Sequence, residues 1–252
     1  MKYSARYFRE SMPEWKRKKD PIFVRAFYRP VSFYGSAFCA NLGIKANYVT
    51  VFSLFISFFA AISYFCSNHS INIIGASLIN CWLVLDCIDG NLARSVERQP
   101  FGEFLDAMGS YILVSFLGIG IGVYVFKNGG LFLLSNNYWW IILGALISIL
   151  DLLMRLTYQK YKNNSVELQE SGAIPVELDK RLAHDSSTSI RTRIEMEFGI
   201  AGILPPAILV CTILNFLDII LVYMFLYNLT GCILVIILYT RKSLKYINKP
   251  IR

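Results

Sequence analysis

The sequence predicts an all-α, polytopic membrane protein: six transmembrane helices preceded by an N-terminal interfacial helix on the cytoplasmic side. Three observations carry that expectation. The 252 residues are 55% hydrophobic and only 17% charged, with a mean hydropathy of +0.48, a balance soluble domains do not reach. Apolar stretches of about 20 residues, each long enough to cross ~30 Å of hydrocarbon as a helix, alternate with short polar segments. The basic residues fall almost wholly in alternate connections.

Residues 1–46 hold ten basic residues, with Lys16, Arg17, Lys18 and Lys19 in one run. From Ile22 to Phe38 aromatics alternate with Arg25 and Arg29. The pattern reads as a helix lying on anionic headgroups, with a solvated basic arm as the plainer alternative. Its polar start lacks the form of a cleavable signal peptide, so the segment is expected to stay in the mature protein. Spans are expected at 47–67, 71–89, 101–126, 137–158, 197–217 and 218–240. The organisation is then a basic arm and interfacial helix (1–46), a six-helix domain (47–240) and a basic tail (241–252).

Six crossings put both termini on one side. Of the 25 Lys and Arg residues, 24 lie before the first span, at Arg94 and Arg98, between Arg155 and Arg193, or after the sixth span; Lys127 alone falls elsewhere. Cytoplasmic loops retain Lys and Arg. Both termini, the connection from Asp89 to Pro100 and the polar stretch from Lys160 to Ile194 are therefore expected in the cytoplasm, on an inner membrane. That polar stretch reads as a disordered connector or a lid. Membrane lipids are expected partners and nucleic acid is not. The six cysteines show no paired spacing, and His69 and His184 stand alone, so neither set is given a role. Tyr138, Trp139 and Trp140 read as an interfacial belt.

Acids appear where apolar runs begin and end. Asp86 and Asp89 close the run from Ile71 to Leu85, and Asp106 opens the next; a desolvated carboxylate there costs several kcal/mol unless paired or metal-bound. Positions i and i+3 share a helix face, so Asp86 and Asp89 can aim at one point, and Asp106 with Ser110 can do so from the facing span. Hard oxygen ligands suit Mg²⁺ or Mn²⁺, which bind phosphate oxygens and stabilise a departing phosphate. Gly90 and Ala93 permit close approach of a ligand, and Arg94 can hold a phosphate. The plainer alternative makes Asp89-Gly90 a turn and pairs the acids with Arg94 and Arg98. A transporter fits less well, because the acids cluster at one end rather than at the midplane.

Asp86-x-x-Asp89-Gly90-x-x-Ala93-Arg94, seven residues, then Gly102-x-x-x-Asp106-x-x-x-Ser110 resembles the signature of the CDP-alcohol phosphotransferase family. The resemblance implies two metal ions on Asp86, Asp89 and Asp106, CDP against Gly90, Ala93 and Arg94, and Asn47 and Thr50 lining the nucleotide pocket. It also implies a homodimer. The chemistry it implies is transfer of a phosphatidyl or other substituted phosphoryl group from a CDP-linked alcohol or lipid to an acceptor alcohol, with release of CMP, in phospholipid biosynthesis. The same chemistry in surface-glycan biosynthesis, or non-catalytic CDP or lipid binding, are the alternatives.

Two departures stand out: the spacer is one residue short, and the fourth acid, the family's proposed general base, is Ser110. A serine hydroxyl does not take a proton near neutral pH. Glu103, one turn before Asp106, is a candidate replacement; otherwise the acceptor arrives as an anion, or catalysis is lost. Arg155, Arg191 and Arg193 are candidates for binding an anionic acceptor, although Asp151 stands one turn from Arg155 and is expected to pair with it.

Overall fold

The computed structural model describes residues 2–172 and 190–245, with side chains from Arg193 onward in the second stretch. Two short helices, α1 (Ala5–Glu10) and α2 (Glu14–Lys19), lead through a π-helical turn (Val24–Tyr28) into α3 (Arg29–Asn41). The bundle follows as α4 (Ala46–Ile62), α5 (His69–Ser95), α6 (Gly102–Asn128), α7 (Trp139–Glu170), α8 (Ile190–Phe198), α9 (Leu204–Ile213) and α10 (Leu217–Leu244). Every described element is helical, and α4 with its following turn, α5, α6, α7 and α10 are long and apolar enough to cross a membrane. The chain is thus an all-α polytopic membrane protein.

The expected fifth span is not one helix. α9 has 10 residues, about 15 Å at 1.5 Å per residue, half the hydrocarbon thickness. The break has a local cause. Pro205 and Pro206 donate no backbone hydrogen bonds and can only begin a helix. At Gly202 an added Cβ would collide with the Glu197 carbonyl, so the chain can fold tightly back on the end of α8. Carbonyls freed by the break are taken up from α10: the Tyr227 hydroxyl donates to the Glu195 carbonyl (2.8 Å) and the Tyr223 hydroxyl to that of Phe198 (2.5 Å). Asn80 Nδ2 donates to the Pro205 carbonyl across the bundle (3.1 Å). Irregular backbone inside a membrane requires such partners.

Two other boundaries differ from the sequence expectation. α5 runs through Asp89-Gly90 to Ser95, so that pair is helical and not a turn. α7 continues to Glu170, because residues 159–170 contain neither Gly nor Pro and make local bonds such as Gln159 Nε2 to Asn163 Oδ1 (3.1 Å). The expected connector is shorter on both sides, and its middle, 173–189, lies outside the described residues.

The bundle has two recognisable ends. At one, Asp218 Oδ2 at the start of α10 accepts from the Phe132 and Leu133 amides (2.7 and 3.1 Å), and Lys127 donates to the Phe65 carbonyl (2.6 Å). At the other, the Tyr7 hydroxyl of α1 donates to the Ser95 carbonyl at the end of α5 (3.0 Å). The tight crossing of α6 and α7 depends on glycine: a Cβ on Gly118 would lie 2.8 Å from the Gly144 carbonyl oxygen, and one on Gly122 would collide with that of Trp140. Small residues one turn apart let membrane helices meet closely. The buried core, including Ile79, Leu113, Leu117, Ile121 and Leu221, holds α5, α6 and α10 together below the signature residues.

Candidate active site

The signature residues sit where α5 leaves the core and α6 enters it, braced by α3 and the start of α4. Asp89 is buried, Asp86 half-buried, and Asp106 and Arg94 exposed, so the cluster grades from bundle interior to an open mouth. Asp89, 7% exposed, is the most withdrawn of the three acids. The Asp86 and Asp106 carboxyls lie within hydrogen-bonding reach of each other across the two helices, and Asp89 feels the charge of Asp86. The Thr50 hydroxyl on α4 donates to Asp89 Oδ2 (2.8 Å).

The arginines are engaged elsewhere. Arg98 is salt-bridged to Glu103 (2.6 Å) with both side chains about four-fifths exposed, and Arg94 Nη2 donates to Asn91 Oδ1 (3.1 Å). Among the described residues no ion pair involves Asp86, Asp89 or Asp106, which removes the pairing alternative raised by the sequence.

A family model, CDP-alcohol phosphatidyltransferase, matches residues 44–180, more than half of the 252-residue chain. The chain belongs to the CDP-alcohol phosphatidyltransferase family. No curated protein matches it. Members transfer phosphoryl-linked groups from CDP-alcohols and generally use divalent metal ions.

The donor set fits that requirement in its chemistry: three hard carboxylates on facing helices, close enough to repel, with no described cation paired to them. Their closure is not complete, since among the described residues no three acidic, His or Cys side chains gather around one point. Asp89 is turned to Thr50, while Asp86 and Asp106 face each other.

Gly90 has a specific spatial role in this candidate site. A Cβ there would lie 3.0 and 3.1 Å from the two terminal nitrogens of Arg94, so the guanidinium folds back over the glycine. Gly90→Ala is expected to displace the guanidinium and weaken CDP binding about tenfold, roughly the loss of one charge-assisted hydrogen bond; calorimetric titration with CDP checks this. Ala93 is half-buried on the same helix.

Asn47 is used structurally. Its amide donates to Gln99 Oε1 (3.0 Å) and its Nδ2 to the Pro100 carbonyl (3.0 Å), which ties the start of α4 to the spacer of the signature. Gln99 thereby satisfies one of the free amides at that helix start. The spacer between Arg94 and Gly102 closes through Phe101, whose φ of 60° is a costly backbone state for a non-glycine residue.

Ser110, one turn after Asp106 on α6, faces the ion pair of Arg155 and Asp151 on α7. Arg155 Nη1 donates to Ser110 Oγ (3.3 Å), the Ser110 hydroxyl donates to the Ala107 carbonyl (2.9 Å), and the guanidinium lies 5.5 Å from the Tyr111 ring centre. Arg155 is also bonded to Asp151. Glu103 does not join the carboxylates, being exposed and paired with Arg98. Arg193 on α8 is exposed; the side chain of Arg191 lies outside the described set.

Sequence reasoning missed a second layer. Arg29 makes a bidentate ion pair with Asp20 (2.8 and 3.1 Å), and Lys16 reaches the same carboxylate (3.0 Å). Arg29 Nη1 also donates to Asn91 Oδ1 (3.2 Å), beside the bond from Arg94, and Asn91 Nδ2 donates to Ser32 and Ser36 (3.1 Å each). Every hydrogen-bonding position of the Asn91 amide is therefore used to seat the Arg94 turn against α3. The available signal was Arg29 itself, a cation inside an aromatic run.

Proposed function

We propose that this chain catalyses divalent-metal-dependent transfer of a phosphatidyl or related phospho-alcohol group from a CDP-linked alcohol or lipid to an acceptor alcohol, releasing CMP, in phospholipid biosynthesis. The observation that carries the reading is the placement of Asp86 and Asp89 on α5 and Asp106 on the facing α6, near enough to influence one another's charge and with no described cation paired to them, in a chain of this family. Asp86, Asp89 and Asp106 would hold the metal, Mg²⁺ or Mn²⁺ and two ions by family resemblance. Metal held there would supply positive charge against the diphosphate and the departing CMP.

The remaining roles belong to side chains. Arg94 over Gly90 binds diphosphate oxygen, Ala93 leaves room for the nucleotide, Thr50 orients Asp89, and Asn47 fixes the spacer. The acceptor oxygen bonds to the β-phosphorus, the bond from that phosphorus to the bridging oxygen breaks, and the hydroxyl proton is released. Glu103 is not placed to take that proton, so Glu103→Gln is expected to change turnover less than about threefold, the exposed pair with Arg98 being a weak interaction; complete loss would make Glu103 the base.

The distribution of Lys and Arg supports a cytoplasmic mouth on an inner membrane. Phe27, Val31, Tyr34, Phe38 and Leu42 form an exposed stripe at helical spacing along the π-turn and α3, which supports an interfacial position for that segment. A homodimer, implied by the family resemblance, belongs to the same reading.

Purified protein with Mn²⁺, acceptor alcohols and either CDP-diacylglycerol or a soluble CDP-polyol should release CMP, and EDTA should abolish the release. Turnover of the soluble donor alone, and only with water-soluble acceptors, would move the function to surface-glycan synthesis. A second reading, CDP binding without turnover, is favoured by Ser110 standing where the family carries its base. Saturable CDP binding with no CMP release from any donor would establish it.

A further inference from the structure

Beside the signature lies a cavity of about 820 Å³ enclosed by α6, α7, α8 and α10, within the usual range of ligand sites, roughly 300–1,000 Å³. Its α6 wall begins at Ala107, next to Asp106, and reaches Leu117, about 15 Å deeper at 1.5 Å per residue. A compartment that starts one residue past Asp106 and extends about 15 Å along α6 has the dimensions of a tail-binding slot rather than of a polyol pocket.

Its charge selects further. The described lining includes one basic residue, Arg155, and two acidic ones, Asp151 and Glu195. Arg155 is bonded to Asp151 and Ser110, so an acceptor bearing a phosphate would have to break that pair to reach the one described cation and would lose its hydration. The deeper walls are apolar, with Val114, Leu117 and Met224. One polar atom among them is unused: Asn228 is 2% exposed, its Nδ2 donates to the Ile147 carbonyl (3.4 Å), and its Oδ1 has no partner. A buried acceptor without a donor is costly. A hydroxyl or amide N–H would satisfy it.

We propose that this cavity is the acceptor site and that it takes a neutral lipid alcohol, its tail lying between α6, α7 and α10 and its head beside Ser110. The assignment rests on the transferase reading above and names its acceptor class. Gly231 on α10 sets the width, because a Cβ there would come within 3.1 Å of Met154 Sδ.

The test uses the full-length protein in detergent, a photoreactive diacylglycerol as probe, and CDP binding as a separate readout of the nucleotide site. Saturable labelling is expected on α7 and α10, competed by dioleoylglycerol and not by glycerol 3-phosphate. Gly231→Phe and Asn228→Leu should each reduce it at least about fivefold, the latter by removing one buried hydrogen-bond acceptor, with CDP affinity retained as evidence of folding. Three results would overturn the assignment: no saturable labelling of protein that binds CDP, competition by glycerol 3-phosphate, or competition by CDP-diacylglycerol alone, which would give the cavity to the donor's tail. Labelling as expected in protein that neither binds CDP nor releases CMP would support the cavity as a lipid site and remove the transferase reading instead.

Discussion

Asp89→Asn is expected to lower CMP release by about 10³-fold or more and to abolish tight Mn²⁺ binding while leaving the fold intact. The amide matches the carboxylate in shape and still accepts the bond from Thr50 (2.8 Å), so the change removes charge and little else. Losing a charge that acts on metal and leaving group falls on the chemical step. Removing one of three neighbouring acids also relieves repulsion in the metal-free protein, so the unfolding temperature should stay the same or rise. Thr50→Val should cost about 10- to 100-fold, as expected for a side chain that orients a ligand without being one. Mn²⁺ titration, CMP release and thermal unfolding, run on the same preparations, separate these effects. Unchanged Mn²⁺ affinity in Asp89→Asn would remove Asp89 from the metal site.

Arg29→Met should produce the largest loss of stability, about 3–5 kcal/mol, because it leaves a buried carboxylate without its main partner. The side chains of Arg29 and Asp20 are only 6% and 3% exposed. Lys16, at 3.0 Å from Asp20 and itself one-quarter exposed, offsets part of the cost. The double variant Asp20→Asn/Arg29→Met should recover a large part of the loss, since no uncompensated charge remains buried. Activity need not recover with stability. Asn91 would still lack the bond from Arg29 (3.2 Å), and the KM for the CDP-linked donor should stay elevated through the loosened Arg94 turn. Equilibrium unfolding and donor saturation curves check both halves. A loss below about 1 kcal/mol for Arg29→Met would show that the pair is not held out of water.

Much of the site was legible because its chemistry is local. Asp86, Asp89, Gly90, Ala93 and Arg94 occupy one helix, where spacing fixes relative direction, and acids at the rim of apolar runs are conspicuous. Glu103 shows the limit of the same logic: helical phase put it near Asp106, but it lies at the exposed start of α6, where Arg98 across the spacer draws it outward. Ser110 was recognisable as a departure, yet its bond to Arg155, 45 residues away in the chain, was not. Hydropathy located α4 to α7 and α10, because apolar length is an additive property of the chain. It located the apolar segment at 197–217 but not its interruption, since average hydropathy does not register that Pro205 and Pro206 break the backbone ladder while distant tyrosines repair it.

By itself, then, the sequence determined the all-helical membrane class and the identity and spacing of the signature acids. These properties follow from residue composition and the helical period. Tertiary structure alone decided which side chains those residues face. It turned Asp89 to Thr50, tied Asn47 to the spacer, locked Arg94 through Asn91 to Arg29 and Asp20, and set Arg155 against Ser110. Such contacts join residues tens of positions apart, and their geometry depends on how helices pack, which no local pattern encodes.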